Sequence, residues 1–220
     1  MRGVFVTGTG TEVGKTVVAA ALARSLAAGG ERVAVFKPTV TGLDESGEGD
    51  HELLRRSSRS EQADDEVAPY RFGPPASPHL AAQLAGEMID PERLLAVARR
   101  AAADADLVVC EGVGGLLVPL ASGYLIRDLA ADLGLPVLIA AGPSLGTINH
   151  TLLTLEAARA AGLEVLGVVL TPWPDTPGEV ERSNRETIAA LGGVPVHRLP
   201  HIDLGDPDRW PEVRGWLSCG

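Results

Sequence analysis

Cysteine and aromatic residues are scarce in this sequence. Its 220 residues include two cysteines, Cys110 and Cys219, and 4% aromatic residues. Two cysteines so far apart exclude a disulfide-stabilised scaffold, and the chain has no Cys/His spacing typical of a structural zinc site. A chain of this length with 45% hydrophobic residues can bury a large core of its own. We therefore predict a single domain over residues 1–220.

Basic charge and long apolar runs are also lacking. The chain carries 19 Lys and Arg against 29 Asp and Glu, a formal net charge of -10. Because nucleic acid requires a basic surface, we expect no nucleic-acid partner. The longest apolar runs, such as residues 137–141, are too short to cross a bilayer, and residues 1–7 lack the layout of a signal peptide. We expect a cytoplasmic protein that binds no membrane.

Short β-branched runs alternate with stretches rich in Ala and Leu. The almost wholly apolar runs are typical of strands in a parallel sheet covered on both faces. The alternation predicts a doubly wound, mostly parallel α/β sheet, in which ligands bind beyond the carboxyl ends of the strands. The predicted strands are residues 4–6, 33–36, 107–110, 136–141, 165–170 and 194–199, and the predicted helices are residues 15–28, 91–105, 126–133, 147–161 and 179–191.

A polar segment over residues 42–78 interrupts this alternation. It is rich in Ser, Asp, Glu, Gly and Pro and has few apolar residues. We expect a surface excursion with a short helix near residues 51–56. Its length favours a functional loop over a simple connection.

The strongest signal is the sequence GTGTEVGKT over residues 8–16, which follows the first predicted strand and opens the first helix. Glycines let successive backbone N–H groups point at one anion, and the helix N-terminus adds its positive end. Lys15 can then reach the β- and γ-phosphates of a nucleotide, and Thr16 can ligate magnesium. The spacing departs from G-x-x-x-x-G-K-[ST], because Thr9 stands where the first glycine belongs. The alternative to a phosphate-binding loop is a Gly/Thr-rich turn followed by a Lys that starts the helix.

Charged residues after two other strands complete a candidate phosphoryl-transfer site. Glu111 directly follows residues 107–110 and precedes a glycine-rich turn, so its carboxylate is a candidate magnesium ligand. Lys37 ends the second strand and would face the same phosphates, where two lysines would neutralise developing charge. Alternatively, Glu111 is an incidental acid in a turn and Lys37 is merely solvated. Asp50 is a second candidate acid, although the residues alone favour a helix cap.

These motifs together resemble those of the dethiobiotin synthetases. The resemblance rests on residues 8–16, Lys37-Pro38, Thr41-Gly42, residues 111–115 and the sequence LGTINH over residues 145–150. It implies a homodimeric P-loop NTPase-like ligase that closes a ureido ring on 7,8-diaminopelargonic acid. The reaction would consume carbon dioxide and ATP or another nucleoside triphosphate, and it would require bound Mg²⁺.

The resemblance also implies residue roles. Lys37 and Lys15 would be catalytic, and Thr16, Asp50 and Glu111 would hold the metal. Substrate contacts would come from Thr41, Gly146 and Asn149, the latter two across a dimer interface. The nucleotide would be bound by Glu12, Val13, Gly14, Lys15, Thr16, Val17, Asp50, Glu111, Gly112, Val113, Gly114, Thr171 and Pro172. No nucleophilic side chain is needed, and we expect Cys110 to be buried and His150 to pack or cap locally.

One departure concerns the base. After the strand at 165–170 the family usually has an Asn that reads adenine, whereas this chain has Thr171-Pro172. Thr has a single hydroxyl and Pro has no N–H, so neither makes the paired amide contact. We expect Pro200, His201 and Ile202 to hold the base through their backbone, and the preference for ATP to be weak.

Two other functions are alternatives for a chain with these motifs. P-loop partitioning or targeting switches share this architecture, but many carry a second Lys early in the loop, where this chain has Gly10. ATP-dependent amidotransferases of the cobyric-acid type are usually longer and need a glutaminase cysteine, and neither cysteine here has that setting.

Overall fold

The computed structural model describes residues 1–44 and 49–217, so Cys219 and residues 45–48 of the polar excursion lie outside the described residues. A six-stranded parallel sheet forms the centre. The strands are β1 (Gly3–Gly8), β2 (Val33–Phe36), β3 (Thr39–Val40), β4 (Tyr70–Arg71), β5 (Leu107–Glu111), β6 (Pro119–Ala121), β7 (Tyr124–Leu125), β8 (Val137–Ala141), β9 (Val165–Trp173) and β10 (Val196–Pro200). The central sheet has the order β10-β9-β8-β1-β5-β2. The pairs β3–β4 and β6–β7 form two small separate sheets.

Eight α-helices connect or flank these strands in the described residues. They are α1 (Lys15–Ala28), α2 (Asp50–Ser58), α3 (Asp64–Val67), α4 (Pro78–Leu84), α5 (Pro91–Ala103), α6 (Ile126–Leu133), α7 (Thr147–Ala160) and α8 (Glu179–Gly192). Two short 3-10 helices, Pro207–Arg209 and Arg214–Leu217, follow β10.

Apolar side chains pack on both faces of the sheet. One face buries Val4 and Val6 of β1 against α1 and α2, and the other buries Phe5 against α5 and α6. Because alternate residues of one strand enter opposite layers, the strands must be apolar throughout. The doubly wound parallel α/β fold is therefore confirmed. Cys110 is fully buried in β5, as expected, and burial raises the pKa of its thiol.

The predicted elements differ from the observed ones mainly at their ends. The most consequential difference is at β9, which continues to Trp173, so Thr171 and Pro172 lie within the strand rather than after it. The polar excursion contains the predicted helix as α2, but also α3 and β4, which its composition did not indicate, and β3 lies just before it. Tertiary contacts order these short elements, since their own sequence patterns are too short to be diagnostic.

The free edge of β2 is covered by a side chain. Gln62 accepts a hydrogen bond from the Val35 N–H at 2.8 Å and donates one to the Val35 carbonyl at 3.1 Å. Its amide therefore occupies the place of a neighbouring strand at that position. Within the described residues, we find no helix with the length and apolar composition to span a membrane.

Candidate active site

The loop between β1 and α1 folds tightly around its glycines. Gly14 caps α1 with φ +83°, a left-handed conformation that suits glycine. A β-carbon on Gly8 would lie 2.7 Å from Val13 Cγ2 and 2.9 Å from Lys15 Cδ, so no larger residue fits. The glycine that the close packing requires is thus Gly8, which explains why Thr9 is tolerated at the consensus position. The predicted turn between the first strand and the N-terminus of the first helix is present.

Lys15 begins α1 and is turned back onto this loop. Its side chain is buried, and Nζ donates to the Gly10 carbonyl at 2.8 Å. Burial lowers the pKa of Lys15, and the nearby Lys37 adds to this effect. Because an ammonium needs strong acceptors when buried, the phosphates of a nucleotide would be better partners than one carbonyl.

Four side chains from four separate segments meet at the carboxyl end of the sheet. The Lys37 ammonium lies 2.7 Å from Glu111 Oε1 and 2.5 Å from Asp50 Oδ2. The Thr16 hydroxyl lies 2.8 Å from the same Glu111 oxygen and 3.1 Å from Asp50 Oδ1. Lys37 and Glu111 are almost completely buried. The alternatives of a solvated Lys37 and an incidental Glu111 are therefore wrong.

The same contacts correct the role that the residues alone favoured for Asp50. Gly49 occupies the N-cap position of α2, and Asp50 is the first residue of the helix. The Asp50 carboxylate reaches Lys37 and Thr16 instead of capping backbone N–H groups. A one-residue shift of the helix start thus turns a capping candidate into a member of the charged cluster.

The cluster has more negative than positive charge around Lys37. Burial alone would lower the pKa of Lys37, but Glu111 and Asp50 outweigh it and hold the pKa above its ordinary value. Burial favours the neutral form of Asp50, yet Lys37 holds its pKa below the ordinary value. Burial raises the pKa of Glu111, and the Asp50 carboxylate adds to the rise. Two carboxylates thus share the Lys37 ammonium, and burial and the neighbouring Asp50 carboxylate act on the pKa of Glu111 in the same direction.

A cavity of 380 Å³ opens between these side chains and the phosphate loop. Glu111 Oε2 is buried without a hydrogen-bond partner among the described residues. Thr11 and Thr39 also line the cavity, although no sequence pattern assigns them a role. Thr39 belongs to a two-residue strand that no pattern indicates. The predicted site residues that line it are Glu12, Gly14, Lys15, Thr16, Val17, Lys37, Thr41, Asp50, Glu111, Val113 and Gly114.

The remaining predicted nucleotide contacts do not line this cavity. Val13 packs behind the loop, and Gly112 is buried between Phe5 and Ile126, where a β-carbon would lie 3.0 Å from each. Thr171 is buried in β9, whereas Pro172 is exposed. At the end of β10, Ile202 is buried and His201 is exposed.

Gly146 and Asn149 lie outside the cavity, exposed at the start of α7. His150 is exposed as well and lines a separate groove of 370 Å³ with Leu117, Leu153 and Gly8. The expectation that His150 packs or caps locally stays a prediction. In a single copy of the chain, Gly146 and Asn149 are not brought to the charged cluster.

Solved structures with a similar fold are P-loop proteins. A ParA family ATPase from Chlorobium tepidum TLS has a TM-score of 0.59 and 16% identity, with 94% of this chain and 89% of that chain covered. The signal recognition particle receptor FtsY from Elizabethkingia anophelis has a TM-score of 0.52 and 18% identity, covering 93% and 60%. At these identities the likeness shows the fold alone.

Sequence comparisons point to one family. A model described as an AAA domain matches residues 2–206. The ATP-dependent dethiobiotin synthetase BioD of Bacillus subtilis (strain 168) is 39% identical over 197 residues, covering 89% of this chain and 85% of the relative. The protein of the same name from Anaeromyxobacter dehalogenans (strain 2CP-1 / ATCC BAA-258) is 48% identical over 201 residues, covering 91% and 90%. Identity of this extent favours a synthetase over a partitioning switch, and the chain belongs to the family of ATP-dependent dethiobiotin synthetases, which are ligases of biotin biosynthesis.

Proposed function

We propose that this protein carboxylates 7,8-diaminopelargonic acid with carbon dioxide and closes the ureido ring of dethiobiotin, converting a nucleoside triphosphate to the diphosphate and phosphate. The observation that carries the proposal is the position of Lys37. Its ammonium is fixed between Asp50 and Glu111, in the same cavity as Lys15 and the phosphate loop. Two ammonium groups can thereby flank one phosphoryl group as it is transferred.

The reaction needs no nucleophilic side chain. One substrate amine adds to carbon dioxide and loses a proton, giving a carbamate. A carbamate oxygen attacks the γ-phosphorus, and the nucleoside diphosphate leaves. The second amine then attacks the carbamate carbon, loses a proton and releases phosphate as the ring closes. The protein contributes positioning and charge neutralisation through Lys15 and Lys37.

The donor set at the cavity fits Mg²⁺. Magnesium binds through one or two carboxylates together with substrate phosphates, and Asp50, Glu111 and the Thr16 hydroxyl supply such oxygens. The unpartnered Glu111 Oε2 supports this fit, because a buried carboxylate oxygen requires a compensating partner. Bound Mg²⁺ would neutralise phosphate charge. Meanwhile, the Lys37 ammonium orients both carboxylates, and it holds the pKa of Asp50 below its ordinary value.

The substrate carboxylate is proposed to bind at Gly146 and Asn149 of a second copy of the chain. Both residues lie outside the cavity of their own chain, so a homodimer would complete the site. The N-terminus of α7 offers free N–H groups that favour an anion. Leu117, Leu145 and Leu153 expose half or more of their surface nearby, as an interface between copies would require.

The test is a direct incubation of the protein with 7,8-diaminopelargonic acid, bicarbonate, magnesium and ATP. Mass spectrometry should detect dethiobiotin, with one phosphate released for each ring closed. Omission of bicarbonate and the Lys37→Ala variant serve as controls and should give no product. Phosphate release without dethiobiotin would contradict the proposed reaction. The cytoplasmic location stays a prediction.

A further inference from the structure

The chain after β10 returns across the first helix. We name residues 203–217 the C-terminal strap. Val213 and Trp216 of the strap are buried in the same apolar cluster as Ile202 and the inner face of α1. Ser25 of α1 donates to the Pro211 carbonyl at 3.3 Å and accepts from the Val213 N–H at 3.1 Å. The strap is therefore fixed to the helix that begins at the phosphate loop.

Ion pairs and hydrogen bonds fasten the first half of the strap as well. Arg24 of α1 lies 2.6 Å from Asp208, and Arg56 of α2 donates to the Leu204 carbonyl at 3.2 Å. Asp203 closes its own turn by accepting from the Gly205 N–H at 2.9 Å. Helices α1 and α2, which both carry residues that line the cavity, thus hold the backbone that follows residue 202.

Of these strap contacts, the one made by Trp210 lies closest in sequence to residues 200–202, where the base is expected to bind. Its indole N–H donates to the Asp203 carbonyl at 2.7 Å, and the Asp206 N–H reaches the same carbonyl at 3.2 Å. Asp203 directly follows Ile202, so this bond holds the end of residues 200–202. The family model ends at residue 206, and Trp210 lies beyond it.

We propose that Trp210 is a positioning residue for the nucleotide base, acting through the Asp203 carbonyl on the backbone of residues 200–202. This inference rests on the proposed function and on the expectation from the sequence that the base binds at residues 200–202. Backbone groups can read a base only from a fixed position, because they have no side-chain freedom to adjust. The phosphate loop is held separately by β1 and α1, so the effect should be confined to the base.

The experiment compares two ligands that differ in the base. Calorimetry would measure the affinity of Trp210→Phe for ADP and for inorganic tripolyphosphate. Loss of one hydrogen bond should weaken ADP binding about fivefold and leave tripolyphosphate binding unchanged. The matched control is Tyr124→Phe, which removes the hydrogen bond from the Tyr124 hydroxyl to Asp132 at 2.9 Å, on the opposite face of the sheet from the strap. It should leave both affinities at the wild-type values.

The inference is overturned if Trp210→Phe binds ADP with the wild-type affinity. It is also overturned if the variant loses affinity for ADP and for tripolyphosphate equally, because equal losses indicate general damage to the fold. If Trp210→Phe fails to fold, Ser25→Ala loosens the strap at α1 and should give the same selective loss of ADP affinity. A wild type that binds ADP without making dethiobiotin would overturn the proposed reaction alone, since these affinities are measured without turnover.

Discussion

Thr171 of β9 packs directly against Gly14 of the phosphate loop. A β-carbon on Gly14 would lie 2.6 Å from Thr171 Cγ2 and 3.8 Å from its hydroxyl oxygen. The Thr171 methyl group is thus committed to the loop, at the position where the resemblance to the family leads us to expect an Asn that reads adenine. The single hydroxyl is the only side-chain group that Thr171 can offer to a base.

We therefore expect weak discrimination between nucleotides. Selectivity built on hydrogen bonding falls when the matching group is absent, whereas phosphate contacts are the same for every triphosphate. GTP, CTP or UTP should support the reaction within about tenfold of ATP in kcat/KM, a gap of about 1.4 kcal/mol. Side-by-side kinetics with the four triphosphates would check this. A preference for ATP of about a thousandfold, or about 4 kcal/mol, would mean that the backbone at 200–202 reads adenine fully.

Lys37→Ala and Lys15→Ala should each lower turnover by at least about a hundredfold, because each removes a cation from the transferred phosphoryl group. Their stabilities should differ. Loss of Lys37 leaves the Glu111 carboxylate buried without its ammonium, which should lower the free energy of unfolding by about 3 kcal/mol. Lys15→Ala removes one hydrogen bond to a carbonyl, which should lower the free energy of unfolding by about 1 kcal/mol.

Urea unfolding of the two lysine variants, read beside steady-state rates, separates the two effects. Normal turnover in Lys37→Ala would overturn the catalytic assignment. Equal stability of the two variants would contradict the buried ion pair.

Glu111→Gln should raise the magnesium concentration for half-maximal activity by about tenfold or more, because a neutral amide is a poorer ligand for this hard cation. The KM for the diamine should change far less, since the amide keeps the shape of the carboxylate. Activity titrated against magnesium at saturating nucleotide would check this. The matched control is Glu186→Gln, an exposed acid on α8, which should leave the titration unchanged. An unaltered magnesium requirement in Glu111→Gln would remove it from the proposed ligands.

A shared site makes a prediction about mixtures of defective proteins. Lys37→Ala and Asn149→Ala damage different halves of the same site if Asn149 acts across the interface. Unfolding and refolding the two together should yield mixed dimers with one intact site, and about a quarter of wild-type activity. Each variant treated alone is the control. Activity no greater than the sum of the two alone would place Asn149 in the site of its own chain or outside it.

The ion pair of Arg32 and Asp106 should make the stability of the fold depend on pH in the acid range. Hydrogen bonds from the Arg32 side chain and backbone lower the pKa of Asp106. A lowered folded-state pKa gives stabilisation that is complete above the ordinary value of about 3.9 and is lost as the pH falls through the folded value. Asp106→Asn should therefore lower Tm at pH 7 and have no effect near the acid limit. Thermal melts across pH would show this, with the exposed Asp104→Asn as the control.

The sequence predicts the fold and the charged cluster for one physical reason. In a parallel sheet, residues that follow separate strands meet at the same edge, so Lys37, Glu111 and the loop at 8–16 had to converge. The role of Asp50 could not be derived from the residues, because it depends on a helix starting one position earlier than a cap at Asp50 requires. The extension of β9 through Thr171 depends on pairing with β10, which no local pattern encodes.

The relation of Asn149 and Trp210 to the site was also beyond sequence patterns. Asn149 lies outside the cavity of its own chain, so its proposed role depends on a second copy. Trp210 acts through a carbonyl seven residues earlier, and a single aromatic residue in a polar segment carries no signal. Both depend on long-range geometry rather than on periodicity or motif.

The amide of Gln62 has a consequence for how this protein behaves at high concentration. Strands at the rim of a sheet expose donors and acceptors that recruit strands from other molecules, and this is a common route to fibrous aggregates. With both polar groups of Val35 already bonded to Gln62, β2 offers no free pair there for such recruitment. The Gln62 side chain thus blocks strand addition at the middle of β2, without adding a strand of its own.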